Sequence, residues 1–329
     1  MLSQLLPNRP IHAQPCVLWG SLARAFKLSI LTLLVVLGSS LAQAATIAVV
    51  LSETRGAYQE FADALRAELR RDQQTHELQI MDSEQASTRS LADAQLVIGV
   101  GGKAMEVLAT KDFKAPLLLT LIPRSSYEKL SAARREDRKT TGLFIDQPPA
   151  RYIDLVRVAL PDAERIGLLA GRDSRDNVAR LAQVARDRKL RPAVELINSE
   201  GEIYPAIQRL FPDGGVLLAT PDTSIFNTQT IPNIILSAYR FRVPVIGFSQ
   251  GSVKSGALIA LFSTPTHLGT QSAEIASRVL SGATLPAPQY PRMFSVGINA
   301  VVARSLGIEM DSETAIHDRL ERLDRAEHP

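Results

Sequence analysis

The sequence predicts an α/β fold in which two doubly wound parallel-sheet lobes follow one another along the chain. Short runs of aliphatic and β-branched residues alternate with stretches of helical spacing, a pattern typical of strand–helix–strand units. The runs are apolar throughout, which indicates strands covered on both faces. Pro148 and Pro149 interrupt the series, and a second series of the same kind follows them. We therefore expect two similar lobes rather than one large sheet.

The individual strands and helices follow from the apolar runs and from the helical spacing between them. In the segment 58–71, Phe61, Leu65 and Leu69 fall on one face of a helix. Gly282 is placed to end the helix at 267–280. The predicted strands are 46–51, 77–81, 96–100, 116–122, 141–146, 165–170, 193–197, 215–219, 244–248, 256–262 and 292–298. The predicted helices are 58–71, 104–109, 126–133, 151–160, 177–189, 204–210, 232–241, 267–280 and 300–306, with linkers near 146–149, 249–255 and 283–291.

The first 44 residues have the features of a secretory signal peptide. Ten mostly apolar residues at 28–37 follow Arg24 and Lys27, and an Ala-x-Ala site ends at Ala44. This predicts export to the periplasm with cleavage after Ala44, and an uncleaved anchor or a core helix is the alternative. Ten apolar residues are short for a bilayer span. Cys16, the only cysteine, lies in this segment, so the mature chain can form no intrachain disulfide.

The charge balance argues against a nucleic-acid partner. The whole chain carries a net charge of +3, and residues 1–44 contain three basic residues and no acidic one. The mature chain is therefore neutral, whereas a nucleic-acid-binding domain keeps a basic surplus. The histidines show no metal-ligand spacing, and we expect no metal, no cofactor and a monomer.

One motif favours an enzyme. Residues 247–251 read Gly-Phe-Ser-Gln-Gly, which matches the nucleophile elbow of serine hydrolases with Ser249 at its centre. The elbow needs a strand–turn–helix context and later His and Asp partners. His267, His317 and His328 follow in the chain. A serine hydrolase is therefore an alternative function, although such short motifs occur by accident.

Polar residues follow most of the predicted strands. In an open α/β sheet, ligands bind beyond the carboxyl ends of the strands, so these loops predict a polar cleft between the lobes. Each residue could instead cap a helix, since Ser, Thr and Asp favour that position. The glycine turn before Lys103 is either an anion cradle or a plain tight turn. The candidate ligand-binding residues in these loops are Ser52, Thr54, Gly101, Gly102, Lys103, Arg124, Ser125, Ser174, Asp222, Thr223 and Ser249.

Several motifs occur in the order found in one protein family. The chain resembles the solute-binding proteins of ABC transporters that have the type I periplasmic-binding fold. The motifs are Thr141-Gly142, Leu160-Pro161 with Arg-Ile-Gly-Leu-Leu at 165–169, Thr-Pro-Asp-Thr at 220–223, Pro-Val-Ile-Gly at 244–247, Gly-Ser-Val-Lys-Ser-Gly-Ala at 251–257, Leu268-Gly269, Val-Leu-Ser-Gly at 279–282, Asn299 and Leu-Gly-Ile at 306–308.

The resemblance implies a two-lobed binding protein with a three-segment hinge, which closes on a small polar solute, such as an amino acid, and serves an ABC permease. It implies a signal peptide at 1–44, a first lobe at 45–146 plus 263–287, a second lobe at 147–262 plus 288–310, and a charged tail at 311–329. Ile316, Leu320 and Leu323 could form one stripe of a tail helix that packs, frays or binds a partner. A periplasmic ligand sensor for a membrane receptor is the alternative function.

The same resemblance assigns residues to the ligand site. Asp222 and Thr223 match the ligand loop of the second lobe, Ser174 and Asn177 match the loop after its first strand, and Thr141 matches the approach to the hinge. The chain departs from the family pattern in the first lobe, where Lys103 and Arg124 stand in place of small or acidic residues. These two cations predict an acidic or carboxylate-bearing solute.

Overall fold

The computed structural model describes residues 45–71, 76–133 and 139–327. The predicted signal peptide and its cleavage site therefore lie outside the described residues, apart from Ala45, which begins the first strand. The strands are β1 Ala45–Leu51, β2 His76–Asp82, β3 Leu96–Val100, β4 Leu117–Ile122, β5 Thr140–Phe144, β6 Arg165–Ala170, β7 Arg191–Leu196, β8 Val216–Leu218, β9 Val245–Gly247, β10 Ile259–Phe262 and β11 Ser295–Ile298.

The helices alternate with these strands. They are α1 Ala57–Arg71, α2 Ser83–Thr88, α3 Gly102–Thr110, α4 Arg124–Ala133, α5 Pro149–Ala159, α6 Arg175–Asp187, α7 Ile203–Leu210, α8 Ile231–Arg240, α9 Gln250–Lys254, α10 Pro265–Leu280, α11 Ala300–Leu306 and α12 Glu313–Glu327, with a 3-10 turn at Glu200–Glu202. No helix in the described part of the chain is long and apolar enough to cross a membrane.

The first lobe is built on a parallel sheet in the order β2-β1-β3-β4-β5. Its central strands are buried on both faces, as their continuous apolar sequence predicts. One face packs against α1 and α10, which approach closely because residue 269 is a glycine. A Cβ at Gly269 would lie only 2.5 Å from the carbonyl oxygen of Phe61.

The second lobe is built on a sheet in the order β11-β10-β9-β8-β6-β7. All neighbours are parallel except β11, which runs antiparallel to β10. Leu168, Val216 and Ile259 lie in the core on one face, and Leu169, Leu217 and Val245 lie in the core on the other. The predicted fold class, two doubly wound lobes of parallel strands, is confirmed.

The chain passes between the two lobes in three places. It leaves the first sheet after β5 and returns to it after β10. After α10, Gln289 pairs with Leu143 at the edge of the first sheet before the chain enters β11. Hydrogen bonds tie these crossings together, because Gln147 Nε2 donates to Ser263 Oγ at 2.9 Å and Arg151 Nη1 donates to the carbonyl of Pro291 at 3.1 Å. The residue numbers that we predict for the lobe boundaries stay a prediction.

One predicted segment, the linker at 249–255, is wrong, and the structure shows which of the alternatives for the charged tail holds. The predicted linker at 249–255 is wrong, because these residues form the short helix α9 inside the second lobe, and the strand that follows starts only at Ile259. Ser249 caps α9 and Gly256, with φ of 111°, ends it. In the charged tail, Ile316 and Leu320 are buried in the core of the second lobe, so the tail helix packs on it.

Candidate ligand cleft

A small cavity lies between the lobes, next to the first crossing segment. Its free volume is about 30 Å³, enough for about two water molecules. Larger grooves, of about 720 and 580 Å³, open elsewhere on the second lobe. The small cavity is the candidate site because both lobes and a crossing segment line it. The lining residues are Ser125, Asp146, Gln147, Pro149, Tyr152, Ser174, Asn177, Leu181, Thr220, Pro221 and Tyr290.

Asp146 is the acidic residue of this lining. It lies two residues after the end of β5, and its Oδ2 accepts a hydrogen bond of 2.7 Å from the backbone N–H of Arg124, the first residue of α4. The carboxylate therefore satisfies one of the free N–H groups of that helix. Burial raises the pKa of Asp146 to about 6, although the Arg124 N–H and guanidinium act in the opposite direction.

Two hydroxyl groups of the lining have no hydrogen-bond partner among the described residues. Tyr152, on α5, is 3% exposed, and its hydroxyl oxygen is buried. The hydroxyl of Thr220, after β8, is buried as well. Burial, followed by the negative charge of Asp146, raises the pKa of Tyr152 well above its ordinary value. Buried polar groups are normally paired, so these two hydroxyls are available to a polar guest in the cavity.

An ion-pair network forms the rim on the side of α4. Glu128 accepts from Arg124 Nε at 2.7 Å within the first lobe and from Arg180 Nη2 at 3.0 Å across the cleft. Arg124 Nη1 also donates to the hydroxyl of Tyr290 at 2.7 Å, and its guanidinium lies 5.2 Å from the centre of that ring. Both arginines are therefore engaged by protein groups in this conformation.

A second ion pair closes the rim one residue further along α4. Lys129 Nζ lies 2.7 Å from Asp173 Oδ2, which belongs to the loop after β6. Successive residues of α4 thus hold the second lobe at two points. Both pairs are exposed, and exposed ion pairs contribute little, about 0–1 kcal/mol each. They are contacts that opening of the cleft can break at small cost.

The predicted residues of the second lobe fall into two groups. Ser174 and Asn177 line the cavity. Asp222 is buried, and its oxygens are occupied within its own lobe. Its Oδ2 accepts from the Gly171 N–H at 3.0 Å and the Ser174 hydroxyl at 2.5 Å, and its Oδ1 accepts from the Ser224 N–H at 2.9 Å. This geometry favours a structural role for Asp222, which holds two loops together.

Thr223 and Ser249 lie outside the cavity lining. Thr223 is exposed, and its carbonyl accepts from Asn227 Nδ2. Ser249 Oγ caps α9 by accepting from the Ser252 N–H at 3.0 Å, and it also bonds the Ser252 hydroxyl at 2.8 Å. No histidine among the described residues is hydrogen-bonded to it, so the geometry of a hydrolase elbow is not present in this part of the chain.

The predicted residues of the first lobe also fall into groups, one at the cavity and the others away from it. Arg124 and Ser125 lie at the cavity, whereas the hydroxyl of Thr141 is buried in the sheet. Ser52, Thr54 and Lys103 line a different pocket of about 480 Å³, where Lys103 pairs with Glu53 at 3.0 Å. Ser52 Oγ accepts there from the Ala104 N–H at 3.0 Å. Gly101 and Gly102 lie at the start of α3, Gly101 as its N-cap and Gly102 as its first residue.

Several cleft residues were missed by the sequence analysis, among them Asp146, Gln147, Tyr152, Leu181 and Tyr290. Asp146 and Gln147 stand in the predicted linker, and a charged residue just after a buried strand is the signal that could have identified Asp146. Tyr152 has the spacing of a core residue. Among the described residues, no cluster of His, Cys, Asp and Glu could hold a metal ion.

Comparisons with known proteins agree with this architecture. The chain is similar to a tyrosine-binding protein of Clostridioides difficile, with 27% identity over 135 residues, which is 40% of this chain and 39% of that one. The matched region thus spans about two fifths of that relative. Among solved structures, an ABC domain from Streptococcus pneumoniae in complex with L-Trp has a TM-score of 0.61 at 17% identity, covering 84% of this chain and 98% of that one.

A second solved structure shares the fold. It is the ligand-free, open form of a substrate-binding protein with adhesive properties from Clostridium difficile, with a TM-score of 0.64 at 15% identity, covering 82% of this chain and 97% of that one. A family model for ABC transporter substrate-binding proteins matches residues 54–317. The chain belongs to this family, whose members bind substrates and are not enzymes.

Proposed function

We propose that this protein is the exported solute-binding component of an ABC importer, and that it captures a small polar ligand between its two lobes for delivery to a membrane permease. The observation that carries the proposal is the cavity beside the hinge. Polar groups from the first lobe, the second lobe and the crossing segments converge there, and two of their hydroxyls are buried without a partner.

Hinge closure is the mechanism that fits this geometry. About 30 Å³ is far less than the several hundred Å³ of a pocket for a small molecule, so the lobes must separate to admit a ligand. The ion pairs Glu128–Arg180 and Lys129–Asp173 would break on opening and re-form on closing. A ligand that contacts both lobes shifts the population towards the closed form. The open form recorded for a protein of this fold is consistent with such a motion.

Amino acids are the ligand class that we propose. A relative is named for tyrosine, and a protein of the same fold is described in complex with L-Trp. The contacts of this chain also weaken the basis for an acidic solute. Lys103 is paired with Glu53 outside the cleft cavity, and Arg124 is paired with Glu128. Both cations are neutralised by protein carboxylates in this conformation, so they give no reason to expect a solute with an acidic side chain.

The proposal includes export to the periplasm, cleavage after Ala44 and action as a monomer. Its support is the sequence of the first 44 residues and the function of the family. N-terminal sequencing of the protein from the periplasmic fraction is expected to start at Ala45. An intact leader in that fraction would contradict the predicted cleavage after Ala44.

The direct test is native mass spectrometry of freshly purified protein, followed by a titration with each of the twenty amino acids. We expect a co-purified small solute, or saturable binding of at least one amino acid. A second titration with detergent-solubilised permease separates the importer from the sensor. Binding to the permease supports an importer, whereas binding to a membrane receptor alone would contradict it.

A further inference from the structure

The last helix, α12, reaches the segments that cross between the lobes. It packs against α5 and β11, and Ile316 and Leu320 are buried in the core of the second lobe. Segments near the end of a chain fray unless such contacts hold them. The family model matches residues 54–317, so Leu320 and Asp324 lie beyond the matched range. The family match therefore does not describe what the second half of α12 does.

The second half of α12 meets the hinge through Arg151, on α5, whose side chain is only 6% exposed. Arg151 Nε donates to Asp324 Oδ2 at 2.7 Å, and Arg151 Nη2 lies 2.5 Å from the same oxygen. Among the described residues, no other carboxylate forms an ion pair with this guanidinium. Because a buried arginine without a carboxylate partner is strongly unfavourable, Asp324 is the group that keeps Arg151 in this position.

The remaining nitrogen of the Arg151 guanidinium, Nη1, bonds two of the crossing segments. It donates to Gln147 Oε1, in the first crossing, at 2.6 Å and to the carbonyl of Pro291, in the third crossing, at 3.1 Å. The second crossing is joined through Gln147, whose Nε2 donates to Ser263 Oγ at 2.9 Å. One guanidinium thus links all three crossings. We call Arg151, Gln147, Pro291 and Asp324 the hinge hub.

The hinge hub lies where the crossings meet the second lobe. Gln147 stands just before α5, Ser263 directly after β10 and Pro291 shortly before β11. A second contact with α12 supports the third crossing, because the ring of His317 lies 4.7 Å from the ring of Phe294. The second-lobe ends of the crossings are therefore bonded to one another and to α12, whereas their first-lobe ends are outside this network.

We propose that α12 is a strap that holds the second-lobe ends of the three crossings as one rigid unit, and that Asp324 is the positioning residue that does so through Arg151. This inference rests on the hinge motion of the proposed function, and it involves no contact with the ligand. With the hinge hub intact, the crossings move together and the lobes open along one path. With the hinge hub broken, each crossing bends separately, and the lobes take many relative orientations.

The test measures the motion of the lobes without any ligand. Spin labels at Ala132→Cys, on α4, and Asp176→Cys, on α6, in a Cys16→Ser background give the interlobe distance distribution by double electron–electron resonance. We expect Asp324→Ala to make this distribution at least about 1.5-fold wider, because the group that holds Arg151 is gone. Alanine favours a helix, so α12 itself is retained.

Two further variants separate the hub from general effects on α12. Arg151→Lys keeps the charge but has no fork to bond the tail and two crossings together, so it is expected to widen the distribution as Asp324→Ala does. Glu321→Ala is the matched control, because it removes a carboxylate that pairs with Arg325 on the same helix. It should leave the width unchanged. A merely structural Asp324 would lower the melting temperature without widening the distribution of the folded protein.

Hydrogen exchange of the wild-type protein, followed by mass spectrometry, tests the strap without a variant. Residues 318–327 are expected to be protected as strongly as the third crossing at 289–294, although a last helix frays unless it is tied down. Rapid exchange of 318–327 beside a protected crossing would show that α12 does not hold the hinge. Should one of the two hub variants not fold, the other variant and this exchange experiment decide.

Failure of the strap and failure of the proposed function give different results. If Asp324→Ala and Arg151→Lys both leave the ligand-free width unchanged, the strap is wrong while solute binding stands. If none of the twenty amino acids shifts the distribution of the wild type, the result counts against the proposed function. The widths of the ligand-free variants then still decide whether the hinge hub holds the crossings.

Discussion

Two buried or half-buried aspartates lie on opposite sides of the cleft and differ in what surrounds them. Asp222, in the second lobe, accepts hydrogen bonds from Gly171, Ser174 and Ser224, which occupy both of its oxygens. Asp146, at the edge of the first lobe, accepts one from the Arg124 N–H and faces the cavity with the rest of its carboxylate. Both oxygens of Asp222 thus have protein hydrogen-bond donors, whereas the carboxylate of Asp146 has a donor on one oxygen only.

We propose that this difference separates a residue that holds the fold, Asp222, from a residue that contacts a ligand, Asp146. A buried acceptor whose partners are all protein groups stabilises the loops that supply those partners. A carboxylate whose burial is only partly compensated costs stability, and such groups are concentrated at functional sites. The variants below test this separation by asking which aspartate affects stability and which affects its pH dependence.

Asp222→Ala is expected to have the largest effect. It removes four hydrogen bonds that the loops at 171–174 and 222–224 donate to the carboxylate, and we expect the free energy of unfolding to fall by about 3 kcal/mol. Urea denaturation followed by circular dichroism measures it. Asp213→Ala, an exposed aspartate paired with Arg165, serves as the control and should cost less than about 0.5 kcal/mol. Unchanged stability with weakened ligand binding would instead assign Asp222 to the ligand site.

Gly101→Ala is expected to cost about 2 kcal/mol. Gly101 has φ of 88°, and a Cβ there would lie 2.6 Å from Ser52 Oγ and 2.6 Å from Tyr58 Cε1. The neighbouring Gly102→Ala is the matched control, because a Cβ at Gly102 meets nothing within 4 Å and alanine favours the helix. Thermal unfolding compares the two. Equal melting temperatures would show that the turn before α3 is not the tight structural turn described above.

Asp146→Asn is expected to change the pH dependence of stability more than stability itself. In the wild type the folded-state pKa of about 6 exceeds the ordinary value of 3.8, so the folded protein binds more protons than the unfolded chain between these values. The free energy of unfolding therefore falls as pH rises from about 4 to about 6. The variant lacks this decrease and at pH 7 is expected to be more stable, by on the order of 1 kcal/mol.

Urea denaturation at pH 4.5 and pH 7 measures this effect, with Asp173→Asn as the control because Asp173 is exposed. A variant with the same pH slope as the wild type would mean that Asp146 has no uncompensated charge in the folded protein.

The sequence was sufficient for the architecture and for part of the site. Local periodicity in the sequence predicts the strands, the helices and their order. It does so because each element must bury one or both of its faces, which sets the spacing of its apolar residues. Ser125 and Ser174 were predicted because they lie in loops that follow strands, at the edge where ligands bind, and Asn177 was predicted from the resemblance to the family. The resemblance to the family predicted that three chain segments connect the two lobes.

The remaining site residues depend on contacts between distant parts of the chain. Whether Asp222 is satisfied depends on Gly171 and Ser174, about fifty residues earlier, and no local pattern shows this. Lys103 was assigned to the ligand because it follows a glycine turn, yet Glu53 neutralises it outside the cleft cavity. Tyr152 has the periodicity of a core residue, and only the tertiary structure shows its hydroxyl at the cavity.

The central claim is that a solute binds between two lobes that close on it. The most direct measurement uses spin labels at Ala132→Cys, on α4, and Asp176→Cys, on α6, in a Cys16→Ser background. Double electron–electron resonance then gives the distance distribution between the labels alone and with each of the twenty amino acids at saturation. The account predicts that at least one amino acid shifts the distribution to a single, shorter distance. A distribution unchanged by every one of them would contradict it.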